Sequence, residues 1–180
     1  RFGGRWSLHD SAVGASTGHS KLYVDDRFSG TASLHKVWQS GGKRSVDVPV
    51  VTVDHWREGD RVACVDVLKM DVEGWELEVL LGAIRTLRTC KPFVWFEHNL
   101  PGLQRIGHSP QRILDRLQDL GYEHFHDIGR LPVGHPLTRR ELDSFENRRI
   151  NLLAVPDERR SDFELRVKPT MHHLRERERA

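Results

Sequence analysis

The sequence predicts an α/β fold with parallel strands, on three observations. Residues 65–70 are a short apolar, largely β-branched run broken only by Asp66 and Lys69. Apolar residues then recur every three or four positions from Leu77 to Leu87, and a second apolar run occupies 93–96. A strand, a helix and a strand in succession form a crossover unit, whose strands are parallel and whose connection is right-handed.

Each element has a local reason. The run 65–70 is too short for a helix and reads as a buried parallel strand. Leu77, Leu80, Leu81, Ile84 and Leu87 share one helix face. Glu73 and Glu76 fall in the first turn of this helix and Arg85 and Arg88 in the last, so the charges complement its dipole. Pro92 stops the helix, and the strand over 93–96 runs into Glu97, His98 and Asn99. Upstream, 46–53 reads as a strand after a polar loop holding Gly41 and Gly42. Downstream, Ser109 and Pro110 open a helix as N-cap and first residue. Ile113, Leu114, Leu117 and Leu120 form its apolar stripe, and Gly121 ends it. Residues 122–128 and 150–155 read as strands, with a loop over 129–147 that holds one short helix at 138–145.

Both strands of the crossover end on one edge of the sheet, and open α/β sheets bind ligands beyond the carboxyl ends of their strands. Asp71, Glu73, Glu97 and His98 fall there and are the candidate catalytic residues. Alternation puts Lys69 and Asp71 on one face of their strand, and Phe93, Trp95 and Glu97 on one face of theirs. Carboxylates at such ends accept hydrogen bonds, take a proton or hold a cation. An imidazole with an ordinary pKa of about 6.5, as in His98, suits a general base near neutrality. The same residues admit structural roles: Asp71 as a helix cap, Glu73 and Glu76 as partners of the dipole, Glu97 as a solvated strand end, His98 as a loop contact.

The segment KMDVEGWELEVLLGA resembles LLKIDVEGAELEVLKGA, carried by FkbM-type methyltransferases. DVPVVTVDHW at 47–56 is similar to that family's V-V-T-L-D-D-L stretch, SAVGASTGHSKLYV at 11–24 to its alanine-ending strand, turn, glycine and next strand, and GTASL at 30–34 to its small-residue loop. The resemblance spans roughly residues 5–100 in matching order. It implies a Rossmann-like methyltransferase sheet, mostly parallel with an antiparallel last strand. It also implies S-adenosylmethionine as cofactor, bound beside Ala12 and Asp71, and a hydroxyl acceptor on a sugar, glycan or natural product. Asp71 and Glu73 then orient the acceptor, the methionine part of the cofactor or a divalent ion, and Glu97 or His98 removes the proton. Whether a divalent metal takes part is open, because carboxylates serve with or without one.

The family's glycine-rich cofactor loop after its first strand, and the acidic residue ending its second, have no counterpart here. Gly3 and Gly4 follow no strand, and Gly41 and Gly42 sit in a polar loop. The expectation is therefore a C-terminal portion of a longer protein that begins just before the third strand and that alone neither binds S-adenosylmethionine nor methylates anything; isothermal titration with the cofactor tests it. A degenerate homologue is the alternative. In such a portion the strand at 65–70 exposes an apolar edge and the third strand is detached from the sheet.

The expected organisation is one methyltransferase domain over 1–156 and a charged tail over 157–180, disordered or partly helical. A net charge of +2 implies neither a nucleic-acid nor a membrane partner, and no apolar stretch is long enough to span a bilayer. Cys64 and Cys90 form no paired framework, which points to reduced thiols and the cytoplasm. Among the 11 histidines, His124 and His126 share a strand face and His172 and His173 are adjacent, without the further ligands a zinc site needs. Oligomeric state is not legible. Two other classes fit the residues: a nicotinamide-dependent Rossmann-like enzyme, which requires G-x-G-x-x-G upstream, and a non-catalytic interaction domain on a decayed methyltransferase sheet.

Overall fold

The computed structural model describes residues 6–25, 32–34, 43–99, 103–104, 106–129, 133, 135–145 and 149–171. Gly3, Gly4, Gly41, Gly42, the start of the 30–34 loop, His172, His173 and the end of the tail lie outside these residues.

Among the described residues seven strands form two sheets. β1 (Ala12–Val13), β2 (Gly18–Asp25) and β3 (Lys43–Val51) make the first, in the order β1-β3-β2. β4 (Val67–Met70), β5 (Phe93–Asn99), β6 (His124–Asp127) and β7 (Arg149–Val155) make the second, in the order β4-β5-β7-β6. β4 and β5 are parallel, and β7 runs antiparallel to both β5 and β6. Three strands of this sheet therefore share a direction and the last opposes them. β1, which begins at Ala12, pairs with β3 rather than with the larger sheet. β4 is an edge strand, and Val67 on it is 54% exposed.

The helix expected to run unbroken from 73 to 88 is two helices, α2 (Glu76–Leu81) and α3 (Ile84–Cys90). Its start moves because Glu73 and Gly74 take left-handed φ values of 52° and 102°, which no α-helix contains. Neither Glu73 nor Asp71 is therefore in or capping its first turn.

Its middle breaks because α1 (Val53–Gly59) inserts Asp54 there. The Asp54 N–H donates to the Gly82 carbonyl, and its carboxylate accepts from Arg85 N, Thr86 N and Thr86 Oγ1 at 2.9, 2.8 and 2.7 Å. Asp54 thereby caps α3 from another element, satisfying donors a helix start leaves open. Burial pushes its carboxyl up, but these hydrogen bonds and the Arg85 charge hold it below its ordinary value. Gly82 is fixed by close approach: a Cβ there would stand 2.1 Å from the Gly14 carbonyl oxygen, so β1 can abut α2 only over a glycine.

α3 stops at Cys90, with Lys91 left-handed before Pro92. α4 (Pro110–Gln118) presents Ile113, Leu114 and Leu117 to the core and is followed by Gly121 at φ 82°. Ser109 holds the N-cap position without a side-chain cap bond. α5 (Arg139–Asp143) starts with a capping box between Thr138 and Glu141.

One face of the larger sheet buries Val94, Phe96, Leu152 and Ala154 against Leu80, Leu87, Ile113 and Leu117 from the helices. The other face buries Phe93, Leu153 and Val155 against Phe163 and Val133. Phe163 belongs to the segment expected to be a charged tail, disordered or partly helical. Residues 157–171 are helical throughout, in turns of changing pitch. Phe163 is fully buried, Arg159 lies over the Phe93 ring, and Glu158 pairs with Lys91 at 2.9 Å. The charged side chains of 157–171 form the outer surface of a layer docked through Phe163.

The reduced-thiol expectation is corrected. Cys64 and Cys90 are joined by a disulfide across a sequence separation of 26. Spacing hid this pairing because the fold, not the sequence, brings the loop before β4 to the end of α3. The cytoplasmic expectation loses its support with it. No helix among the described residues is long and apolar enough to cross a membrane.

Candidate active site

The register of β4 and β5 pairs Met70 with Phe96, so Asp71 and Glu97 are the next residues on neighbouring parallel strands. Lys69 stands opposite Trp95, with its ammonium 5.5 Å from the ring centroid and 3.2 Å from an Asp71 carboxylate oxygen. Trp95 donates from its indole N–H to Asn151, which stands beside Glu97 on β7. Asp71, Trp95 and Glu97 thus share a face and a rim.

The other two expected residues sit differently. Glu73 belongs to the left-handed turn after β4, and its carboxylate lies 3.8 Å from the Arg149 guanidinium at the start of β7. A non-glycine residue in that region of φ stores strain of about 1 kcal/mol or more. Alternation sends His98 to the face opposite Glu97. There it is 3% exposed, its Nδ1 has no hydrogen-bond partner, and burial holds its pKa below the ordinary value, so the imidazole is neutral at pH 7.

The residue that sequence reasoning missed is Glu76. It is fully buried at the first position of α2. Oε1 accepts from the N–H groups of Val72 and Gly74, both at 3.4 Å, and so closes the acidic turn. Oε2 is buried without a hydrogen-bond partner. Burial raises its pKa, these N–H groups oppose the shift, and the Glu97 charge adds to it. A signal existed: Glu76 stands four residues before Leu80, on the stripe that continues through Ala83 and Leu87, all three fully buried. A glutamate on an apolar stripe is a buried carboxylate, which surface dipole partners are not.

Ala12, expected beside a cofactor, is half-buried on β1. Two residues on, Gly14 approaches Trp75, the neighbour of Glu76: a Cβ on Gly14 would lie 3.4 Å from the Trp75 indole nitrogen. The end of β1 and the start of α2 therefore meet. A separate cavity of about 200 Å³ is lined by His9, Ser11, Val13, Val51, Thr52, Val53 and Trp56. Alternation turns Ala12 away from it, since its neighbours Ser11 and Val13 line it. His9 closes one side, accepting from the Trp56 indole N–H at 3.3 Å and lying 3.2 Å from Asp60.

Asp71 and Glu97 follow the paired ends of β4 and β5, Glu73 lies in the turn after β4, and Glu76 is buried with an unmet acceptor oxygen. Among the described residues no group of three or more His, Cys, Asp or Glu side chains is arranged to hold a metal ion.

No curated protein and no solved structure matches the sequence. The methyltransferase FkbM domain matches residues 8–124, which run from the approach to β1 through the crossover and α4 into β6. That span is well over half of the sequence and contains the whole acidic rim, and the chain belongs to the FkbM methyltransferase family.

Proposed function

We propose that the acidic rim serves S-adenosylmethionine-dependent methyl transfer to a hydroxyl of a sugar, glycan or natural product. The observation that carries the reading is Glu76. A buried carboxylate oxygen without a partner is costly unless a ligand completes it. S-adenosylmethionine carries an ammonium and a sulfonium, and a donor set of Asp71, Glu76 and Glu97 fits such cations. When bound, the cofactor supplies an electrophilic methyl group.

The residues of this chain then have separable tasks. Glu97, half-buried at the strand end, accepts the proton from the attacking hydroxyl. Asp71, held by Lys69, orients the acceptor from the same face. Glu73 and Arg149 fix the turn that brings Glu76 beneath the rim. His98, neutral and buried on the opposite face, supports the strand end rather than the reacting atoms.

Methyl-labelled S-adenosylmethionine, incubated with the intact enzyme that contains this chain and a panel of sugars, polyols and hydroxylated natural products, tests the proposal. Label is expected on acceptor oxygen. Asp71→Asn and Glu97→Gln are expected to lower turnover about a hundredfold with the fold retained. Near-normal turnover in both variants removes the rim from the chemistry.

A further inference from the structure

The disulfide lies at the opposite end of the crossover from the acidic rim. Cys64 is in the segment that feeds β4, and Cys90 ends α3 just before β5. The two sulfurs have unlike surroundings. Cys64 is exposed, whereas Cys90 is half-buried. Arg57, from the last turn of α1, donates through Nη1 to Cys90 Sγ at 3.4 Å and to the Ala63 carbonyl at 3.0 Å.

Exchange between a thiol and a disulfide depends on which sulfur can be reached and which leaves more readily as a thiolate. Exposure favours attack at Cys64. A guanidinium beside Cys90 favours its departure, because a neighbouring cation stabilises thiolate over thiol. We propose that Cys64 is a thiol-modification site that takes small thiols as mixed disulfides while Cys90, the sulfur that Arg57 contacts, is released.

A thiolate attacks Cys64 Sγ, the Cys64–Cys90 bond breaks, and its electron pair leaves on Cys90 Sγ. A second thiolate then attacks the outer sulfur of the mixed disulfide and frees Cys64. The protein disulfide is reduced to two thiols, and two small thiols are oxidised to one disulfide. Alternatively the Cys90 thiolate attacks Cys64 Sγ, expels the small thiol and restores the bond. A thiolate stabilised by a guanidinium is a weaker nucleophile, which slows that return and lets the mixed disulfide accumulate.

The test uses oxidised full-length protein and limiting reduced glutathione, quenched in acid and mapped by peptide mass spectrometry. Glutathione is expected on Cys64 and an alkylatable thiol on Cys90. An adduct chiefly on Cys90, or no adduct unless denaturant is added, overturns the proposal. In a second arm, Arg57→Met should slow reduction by glutathione about fivefold, with Arg57→Lys in between. An unchanged rate in a folded Arg57→Met protein overturns the role of Arg57. Should that variant fail to fold, Arg57→Lys and the site of the wild-type adduct decide.

Discussion

Asp54→Ala tests the account of why one sequence stripe becomes two helices. The substitution removes the acceptor of three hydrogen bonds, from Arg85 N, Thr86 N and Thr86 Oγ1. The Arg85 side of the site reaches solvent, so its N–H is rehydrated and the loss resembles that of an ordinary helix cap, about 1 kcal/mol. Thr86 is fully buried, and its orphaned N–H costs about 1–3 kcal/mol. Its hydroxyl can rotate toward another acceptor, so it adds little more. The ion pair from Arg85 at 3.7 Å is discounted, because that side chain is 59% exposed. The sum is a destabilisation of about 3 kcal/mol, or roughly 6–12 °C in Tm for a chain of this size. Urea unfolding followed by circular dichroism measures it, and the midpoint should fall while the slope is unchanged. Asp54→Asn keeps one acceptor oxygen and should lose about half as much. The Asp54 carboxyl is held below its ordinary value of 3.8 in the folded state. Its contribution is therefore present above that pH and lost as pH falls through the folded value. The gap between wild type and Asp54→Asn should close in acid. An Asp54→Ala protein within about 0.5 kcal/mol of wild type would refute the capping account.

Three other expectations follow from the same contacts. Glu76 has a raised folded pKa, so the stability it contributes is full below the unfolded value of 4.5 and lost as pH rises through the folded one. Glu76→Gln should remove that loss and be at least as stable as wild type at pH 8 by chemical denaturation; a less stable variant at that pH means the carboxylate is not an unfavourable buried charge. Gly82→Ala gains up to about 1 kcal/mol by restricting the unfolded chain. It also forces a methyl against the Gly14 carbonyl oxygen at 2.1 Å, and net destabilisation of about 2 kcal/mol or more should appear as a lower Tm; an unchanged Tm would show that β1 does not press on α2. Reduction of the Cys64–Cys90 bond releases a loop with a sequence separation of 26, which in the chain-entropy account costs about 3.5 kcal/mol, readable as a lower urea midpoint in dithiothreitol. An identical midpoint with and without reductant would contradict it.

The crossover was legible because its signals are local. β-branched runs, a stripe of period 3.6, Pro92 and Gly121 act on the chain within a few residues of themselves, and the parallel pairing of β4 and β5 follows from their connection alone. The positions of Asp71 and Glu97 on one rim follow from that pairing, and the family resemblance rests on the same contiguous residues. Glu76 was half-legible: its place on the apolar stripe was visible, while its meeting with the 72–74 turn was not.

What the amino-acid sequence determined by itself was the strand-helix-strand order of the crossover and the sheet edge at which Asp71 and Glu97 stand. Tertiary structure decided the rest, since contacts between residues far apart in the chain compete with local preference and carry no local mark. Asp54 breaks a helix from about thirty residues away, Phe163 converts a charged stretch into a packed layer, and the fold brings Cys64 and Cys90 within bonding distance. In each case the decisive term is the burial or pairing of a group that looks solvated when read alone, and only three-dimensional proximity supplies its partner.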